Sequence, residues 1–415
     1  MTQPLPSLAG AAWLEKPEAQ RVLGAIETAG FSARVVGGCV RNGLLGVPVT
    51  DVDIATTAVP ADVQRIAKAA GMAIVPTGIE HGTITVIANH LPFEVTTLRR
   101  DVATDGRRAV VAFTLDWTED AARRDFTLNA LYCDARGKVH DPLGGYGDLV
   151  ARRVRFIGDA SARIREDYLR ILRFFRFHAT YGVGDLDRDG TLACVRLRAG
   201  LGQLSGERVG AEMLRLLVAD RSTETIEAMF GLGLLVDVLA VAPRPMRFAR
   251  LVSIEGALQT PADAALRLAA LAMHVAEDAG RIAERLRLSK TQQAVLRLTA
   301  VREPELGIAT SDQEARRALY RLGADNYQRR IRLAWAQSGE PPDHECWLAL
   351  HALPARAPVL RFPLAGRDLL ALGLVPGPEV GQLLKRIEDQ WIASGFTIEA
   401  EQLREMAKVI ISGAV

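Results

Sequence analysis

Cysteine and lysine are scarce in this chain of 415 residues, which has four cysteines and six lysines. The cysteines are scattered singly, so neither a disulfide scaffold nor a CxxC zinc site is expected, and a reducing cytoplasm fits. No run of about 18 apolar residues occurs, so we expect no transmembrane helix and no membrane partner. The first ten residues lack the basic and apolar regions of a secretory signal, so none is expected.

Arginine, by contrast, accounts for all but six of the 51 basic residues. Its planar guanidinium pairs well with phosphates, although a GC-rich genome also raises arginine content. The formal net charge is only +2, yet residues 151–217 contain thirteen arginines, no lysine and eight acidic residues. This local excess indicates a polyanionic partner near that segment.

The length, and a composition of 49% hydrophobic and 24% charged residues, allow two to four domains. The first 150 residues mix the patterns of strands and helices. Strands are predicted over 32–36, 51–55, 83–88 and 93–98, and helices over 40–45, 60–70 and 120–131. Residues 99–113 are charged and contain glycine, which predicts a loop.

Beyond residue 150, apolar residues recur at intervals of three and four, which is typical of amphipathic helices. The predicted fold class is therefore α+β, with a small mixed sheet and helices in an N-terminal catalytic head and an all-helical remainder. The predicted divisions are a head over 20–150, a neck over 151–220, a body over 221–340 and a tail over 341–415.

A glycine pair, Gly37 and Gly38, lies between the first predicted strand and helix. Glycines at such a turn let backbone N–H groups approach a phosphate, and Arg41 would follow in the first helical turn. Most glycine pairs are only turns, and the spacing differs from GxGxxG, which disfavours a Rossmann dinucleotide site. These residues are therefore candidates for binding a nucleotide phosphate.

Two carboxylates, Asp51 and Asp53, follow on a predicted strand, where side chains at i and i+2 point to one side. Adjacent carboxylates repel unless a cation neutralises them, and Mg²⁺ binds a few carboxylates together with substrate phosphates. Glu94, on a neighbouring predicted strand, is the candidate third catalytic carboxylate. The alternatives are a solvated loop for the two aspartates and an exposed strand acid for Glu94.

The segment RRDFTLN supplies three further polar candidates. Arg124 could bind a triphosphate, and Asp125 could accept a hydrogen bond from a ribose hydroxyl. Asn129, one helical turn later, would share the face of Asp125. The alternative is a helix terminus with solvated charges.

The segment DPLGGYGDL, residues 141–149, separates the mixed and helical parts of the chain. Three of its four residues between 144 and 147 are glycine, which favours a bend or a hinge. The alternative is a plain linker.

The segment EDYLRILRFFRF places Asp167 and Arg170 three residues apart on a predicted helix, so that they would face one way. Together they offer an acceptor and a fork of donors, which complements cytosine and adenine but not guanine or uracil. Arg173 continues this face, whereas Arg176 is about half a turn out of phase and would bind phosphate or pack against the head. A solvated ion pair is the alternative.

Five segments between residues 35 and 217 resemble, in order, the motifs of the class II (bacterial-type) tRNA nucleotidyltransferases. These are the CCA-adding enzymes, and the bacterial poly(A) polymerases are their relatives. The segments are GGCVRNGLLGVPVTDVDIA, RRDFTLNAL, DPLGGYGDL, EDYLRILRFFRF and LSGERVGAEMLRLL. The resemblance implies metal ligands (Asp51, Asp53), nucleotide-phosphate contacts (Gly38, Arg41, Arg124), a ribose contact (Asp125) and base-recognition or other nucleotide contacts (Asp167, Arg170, Arg173, Arg176). Asn42 departs from the family, which usually has Asp there, and we expect a changed local hydrogen bond rather than lost activity.

The implied function is template-independent addition of C, C and A to the 3′ end of tRNA, with two Mg²⁺ ions, CTP and ATP as substrates, and release of pyrophosphate. No obligate protein partner is implied, and the segment over 363–387 resembles the family's tRNA-binding tail. A bacterial poly(A) polymerase and an enzyme that adds only part of CCA remain alternatives. A poly(A) polymerase is disfavoured because residues 76–99 lack the glycine-basic-basic-aromatic stretch that those enzymes usually carry. A partial enzyme is disfavoured because the predicted loop over 99–113, part of which such enzymes usually lack, is present. A non-catalytic RNA-binding relative is the third alternative.

Overall fold

The computed structural model describes residues 5–76, 78–105, 108–300, 305–357 and 360–412, without the side chains of 101–111. The chain divides into two compact units, Met1–Ala240 and Val241–Val415. Among the described residues, all strands belong to the first unit, and the second unit is helical. The finer division into head, neck, body and tail stays a prediction.

The first unit contains a seven-stranded mixed sheet and a separate two-stranded ribbon. The strands are β1 Ala33–Val36, β2 Asp53–Thr56, β3 Ala73–Val75, β4 Thr83–Ala88, β5 Leu91–Thr97, β6 Arg99–Asp105, β7 Arg108–Phe113, β8 Tyr132–Cys133 and β9 Val139–His140. The sheet order is β3-β4-β5-β2-β1-β8-β9, and β6 pairs with β7. Only β2 and β5 are parallel neighbours in this sheet as described, and their register sets Asp53 opposite Glu94.

The helices of the first unit are α1 Pro17–Thr28, α2 Gly38–Leu45, α3 Pro60–Ala69, α4 Trp117–Ala122, α5 Tyr146–Val150, α6 Ala160–Glu166, α7 Leu169–Tyr181, α8 Arg188–Arg196, α9 Gly206–Leu217, α10 Ser222–Gly231 and α11 Leu234–Leu239. Short 3-10 helices span Ile79–His81, Thr127–Asn129 and Arg198–Gln203. The alternation of strands and helices, followed by helices alone, confirms the predicted fold class.

Phenylalanines join the long helix α7 to the segment that precedes it. Phe174 and Phe177 lie 6.3 and 5.1 Å, between ring centroids, from Phe126, and Phe156 stacks on Phe174 at 5.4 Å. All four side chains are buried. On its other side α7 packs against α9 and α10. This apolar contact fixes the face of α7 that carries the arginines described below.

The second unit consists of α12 Pro245–Ala257, α13 Ala264–Ala272, α14 Asp278–Arg285, α15 Lys290–Ala300, α16 Asp312–Leu322, α17 Ala324–Ser338, α18 Glu345–His351, α19 Leu353–Arg356, α20 Gly366–Ala371, α21 Pro378–Ala393 and α22 Ala400–Ser412. Leu369, Ile387, Trp391 and Leu403 form the centre of one of its apolar clusters. Within the parts of the chain that are described, every helix is too short or too polar to cross a membrane.

Two elements predicted from the sequence are wrong. The loop predicted over 99–113 is the ribbon β6–β7, because β-branched residues at 102, 104, 110 and 111 favour an extended backbone even in a charged segment. The helix predicted over 120–131 begins earlier, since Asp116 accepts a hydrogen bond from the Thr118 amide at 2.7 Å and caps α4. It ends at Ala122 because the following backbone pairs with residues 155–157.

Candidate active site

Three carboxylates lie together where β2 begins. Asp53 is the first residue of β2, Glu94 is its register partner on β5, and Asp51 lies just before the strand. The strand predicted from residue 51 begins instead at Asp53, so Asp51 and Asp53 do not share the face of one strand. All three residues are accessible to solvent, although part of Asp53 is shielded.

The pKa of Asp53 is affected by the charges around it. The pKa of Asp53 is raised to about 6, and partial burial of the carboxylate is the largest cause. The negative charge of Glu94 is the second cause, and Asp51 contributes less. Arg124 acts in the opposite direction. The ionised form of Asp53 is therefore disfavoured by its surroundings, which is the condition that a cation at this edge would relieve.

The glycine turn lies beside these carboxylates. The pKa of the buried Cys39 thiol, next to Gly38, is raised to about 11 by burial, and the charge of Asp53 contributes to that shift. Gly37 has φ of 75°, and α2 begins at Gly38. A Cβ at Gly37 would lie 3.6 Å from Nη1 of Arg124. Gly37, Asp53 and Arg124 thus border one region of the first unit.

Arg124 is held by its own segment rather than left mobile. Its Nη2 donates to Asp120 at 3.1 Å, and its Nε donates to the Tyr132 hydroxyl at 3.3 Å. The Tyr132 hydroxyl in turn donates to Asp120 at 2.8 Å. These bonds fix the guanidinium beside the glycine turn.

Arg41 lies in the interior, although its position in the first turn of α2 suggested a direct contact with phosphate. It is 6% exposed, and its guanidinium donates to the side chains of Asn42, Asn129 and Tyr181. Asn42 also donates to the Pro48 carbonyl at 3.0 Å. An aspartate could not donate this bond, so the local hydrogen bonding differs from the family's, as expected.

Asp125 and Asn129 are in contact, as predicted, although they do not share a helix. The Asn129 amide donates to Oδ1 of Asp125 at 2.9 Å, from a 3-10 turn. Arg173, on α7, donates from Nε to Oδ2 of Asp125 at 2.9 Å. Burial acts to raise the pKa of Asp125, but Arg173 and Asn129 outweigh it and hold that pKa below its ordinary value. Asp125 is therefore ionised at neutral pH.

Asp167 and Arg170 do not lie on one helix. Asp167 has an extended backbone (φ −157°) between α6 and α7, and its Oδ1 accepts from the Leu169 amide at 3.1 Å. Its Oδ2 accepts from Arg208 of α9 at 2.6 Å. Arg170 donates to Glu166 at 2.5 Å and to the Arg163 carbonyl at 2.8 Å. The predicted helical face is thus wrong, because α7 begins only at Leu169.

Arg176 contacts helix α9 of the first unit. Its Nε donates to Glu212 of α9 at 2.5 Å, and its guanidinium lies 4.4 Å from the centroid of the Phe177 ring. Glu212 is 5% exposed and also faces Arg173 at 3.8 Å. The ion pair with Glu212 therefore holds Arg176 against α9.

Three polar partners in this region were missed by sequence reasoning, namely Arg208, Glu212 and Tyr181. Glu212 leaves a trace in the sequence, because it interrupts the apolar face of α9 between Val209 and Met213, where only a paired acid is tolerated. Arg208 belongs to the same segment. Tyr181 leaves none, since its partner Arg41 is 140 residues away.

The glycine segment before α5 is held by specific contacts. Asp141 accepts hydrogen bonds from the amides of Gly145 and Tyr146 at 2.8 and 2.9 Å. Asp148 is buried and accepts from the Thr127 hydroxyl at 2.8 Å. This segment is therefore a fixed bend in the described structure.

Substitution of Gly145 by alanine is expected to destabilise the fold by about 1–3 kcal/mol. The added Cβ would lie 2.2 Å from the Thr127 carbonyl oxygen, so backbone has to move. Gly147→Ala is the matched control, because nothing lies within 4 Å of its Cβ and alanine favours α5. Thermal melts of both variants check the expectation, and equal melting temperatures would refute it.

The chain is similar to known proteins over most of its length. Residues 33–155 match the family model described as the Poly A polymerase head domain. Over 380 residues the chain is 35% identical to CCA tRNA nucleotidyltransferase 1, mitochondrial, of Mus musculus. This alignment covers 90% of the chain and 86% of the relative. It is 34% identical over 383 residues to the CCA-adding enzyme of Streptococcus gordonii, covering 90% and 92%.

Solved structures give the same result. The Bacillus stearothermophilus CCA-adding enzyme in complex with CTP superposes with a TM-score of 0.72 and 28% identity, covering 96% of this chain and 99% of that one. The resemblance noted in the sequence is confirmed over nearly the whole length. The chain is a member of the CCA-adding tRNA nucleotidyltransferase family.

Proposed function

We propose that this protein adds C, C and A to the 3′ end of tRNA without a template, using CTP and ATP and releasing pyrophosphate. The observation that carries the proposal is the convergence of the Gly37 turn, Arg124 and the carboxylates at Asp53 on one region. Membership of the family supports the same assignment.

The donor set fits a divalent metal ion. Among the described residues, no group of three or more His, Cys, Asp or Glu side chains is arranged as a complete metal site. Asp51 and Asp53 would therefore supply two ligands, and substrate phosphates would complete the coordination, as Mg²⁺ prefers. The raised pKa of Asp53 supports this role, because a cation would offset the repulsion. A bound Mg²⁺ supplies charge neutralisation at the reacting phosphate.

The protein side chains then have to position the nucleotide. Amides of the Gly37–Gly38 turn and the guanidinium of Arg124 would hold the triphosphate, and Asp125 would accept from the ribose hydroxyl. Glu94 would complete the carboxylate edge. Because Arg124 and Asp125 are already fixed by neighbours, the reacting atoms would be oriented at little further cost in entropy.

Base choice is proposed for Asp167 and Arg170. A carboxylate that accepts from Arg208 still has acceptor sites for an exocyclic amino group, and Arg170 has further donors. Arg208 and Glu166 would hold these two groups in a fixed orientation. Guanine and uracil would leave both groups unpaired, which is costly in a partly buried site.

The remaining parts of the chain are proposed to bind tRNA through shape and phosphate contacts. Arginines of the predicted neck, including Arg173 and Arg176, would contact the nucleotide, and the helices over 341–415 would form the tRNA-binding tail. We propose no obligate protein partner.

Four free cysteines, of which Cys346 is exposed, support the cytoplasm as the proposed location. Cell fractionation tests this proposal. Recovery in the cytosolic fraction is expected, and recovery in an oxidising compartment would refute it.

Sequencing of reaction products tests the proposed function. A tRNA that lacks its 3′ CCA is incubated with Mg²⁺ and CTP alone, or with CTP and ATP. We expect +CC in the first reaction and +CCA, without longer products, in the second. A long adenosine tail would assign a poly(A) polymerase, an end at +CC with both nucleotides would assign a partial enzyme, and unextended tRNA would assign a non-catalytic relative.

A further inference from the structure

Tyr181 is the last residue of α7, and nothing in the proposed reaction uses it. Its hydroxyl accepts a hydrogen bond from Nη2 of Arg41 at 2.7 Å. The Arg41 guanidinium also lies 3.9 Å from the centroid of the Tyr181 ring, which is a cation–π contact. The end of α7 is therefore joined to the first turn of α2.

Arg41 is a buried cation whose side-chain partners are all uncharged. Asn42, Asn129 and Tyr181 supply its acceptors, and no described carboxylate forms an ion pair with it. Burial lowers the pKa of Arg41, with Tyr181 and Asp125 opposing the shift. A buried guanidinium is strongly dependent on each hydrogen bond that it makes, because each unmet donor keeps its desolvation cost.

The same helix α7 contacts the sheet part of the unit at a second point. Arg173, eight residues before Tyr181, binds Asp125 with two nitrogens, at 2.5 and 2.9 Å. Eight residues span about 12 Å and about 2.2 turns, so the two side chains leave the helix about 80° apart. Phe177, between them, packs on Phe126 and lies 5.3 Å from the guanidinium of Arg41.

Asn129 connects the two points. Its Oδ1 accepts from Arg41, and its Nδ2 donates to Asp125. The bonds close on themselves, from α7 through Arg173, Asp125, Asn129, Arg41 and Tyr181 back to α7. We call these five side chains the polar ring.

We propose that Tyr181 is a positioning residue for nucleotide transfer, which closes the polar ring and so seats α7 against the glycine turn and Asp125 as one unit. The proposal rests on the proposed function, since Asp125 is there the ribose contact. Loss of either contact of α7, Arg173 with Asp125 or Tyr181 with Arg41, would shift Asp125 and the glycine turn together, because Asn129 links them. The effect would be independent of the base, since Tyr181 contacts no residue proposed to read it.

Tyr181→Phe removes the hydroxyl and keeps the ring over Arg41. We expect kcat/KM to fall about tenfold, by the same factor for CTP and ATP, with discrimination against GTP and UTP unchanged. Tyr181→Leu, which also removes the cation–π contact, should lose more. Tyr327→Phe is the matched control, because it removes a buried tyrosine hydroxyl that donates to the Leu350 carbonyl at 3.1 Å, in the second unit.

A double-mutant cycle tests whether the ring acts as a unit. Tyr181 and Arg173 share no hydrogen bond, so independent effects would multiply. If Arg173→Lys also costs about tenfold, the ring predicts a loss in the double variant close to that of either single variant. A multiplied loss of about 100-fold would overturn the proposal, and so would a Tyr181→Phe enzyme within twofold of the wild type.

The cycle is also measured by thermal unfolding of the nucleotide-free protein, where the ring predicts the same non-additivity. This readout separates two failures. If the wild type does not extend tRNA but the melting cycle is non-additive, the proposed function fails and the ring stands. If the wild type extends tRNA and both cycles are additive, the ring fails alone.

Discussion

Replacement of Asp53 by asparagine is expected to abolish nucleotide addition, with a fall in kcat of at least about 10³-fold. The amide keeps the size of the side chain but removes a negative ligand from the carboxylate edge that it shares with Asp51 and Glu94. Single-turnover incorporation of CTP into tRNA measures the loss. Filter binding of tRNA should be unchanged, because Asp53 lies on β2, outside the segments that are proposed to bind tRNA.

The same substitution should stabilise the free protein. The pKa of Asp53 is raised above its unfolded value, so ionisation of this carboxyl disfavours the folded state once the pH exceeds the unfolded pKa. At pH 7 the asparagine variant escapes that cost and should melt at a higher temperature. Glu27→Gln is the control, because it removes an exposed carboxylate at the end of α1. Substantial incorporation by Asp53→Asn would contradict the assigned role.

Replacement of Asp167 by alanine is expected to relax base choice by a factor on the order of 10²–10³. The acceptor for the amino group of cytosine or adenine is lost, while Arg170 keeps its partner Glu166. Arg208 loses its carboxylate partner and becomes a donor that faces the base region. Guanine and uracil carry a carbonyl where cytosine and adenine carry an amino group, so the variant should accept GTP and UTP.

Competition between CTP and each wrong nucleotide, read by product sequencing, measures this change. Asp185→Ala is the control, because it removes an exposed carboxylate from the loop after α7. Selectivity that stays at the wild-type level in Asp167→Ala would remove this side chain from base recognition, whatever the effect on rate.

Much of this fold follows from local patterns in the sequence. The glycine pair before α2, the aspartates at the start of β2 and the amphipathic helices after residue 150 are each set by neighbours a few residues away. The sequence predicts Glu94 on a strand that neighbours the strand of Asp53, and the register of β2 and β5 agrees. One error falls where a contact overrides propensity, in the pairing of Phe126 with Phe156 that ends a predicted helix.

The pairing of charges could not be predicted from the sequence. Asp125 meets Arg173 across 48 residues, Asp167 meets Arg208 across 41, and Arg41 meets Tyr181 across 140. Spacing along a helix suggested Asp167 with Arg170, but the backbone leaves the helix at Asp167 and turns its carboxylate toward α9. Tertiary packing therefore decides which of several nearby cations an acid meets.

Binding of Mn²⁺, as a spectroscopic substitute for Mg²⁺, tests whether Asp53 is a metal ligand, since carboxylates and phosphates suit both ions. Electron paramagnetic resonance would count the Mn²⁺ bound to the wild type, Asp53→Asn and Glu27→Gln, each with a non-reactive CTP analogue. The account predicts binding by the wild type and Glu27→Gln, and a loss of at least about tenfold in affinity for Asp53→Asn. Equal binding by all three proteins would contradict it.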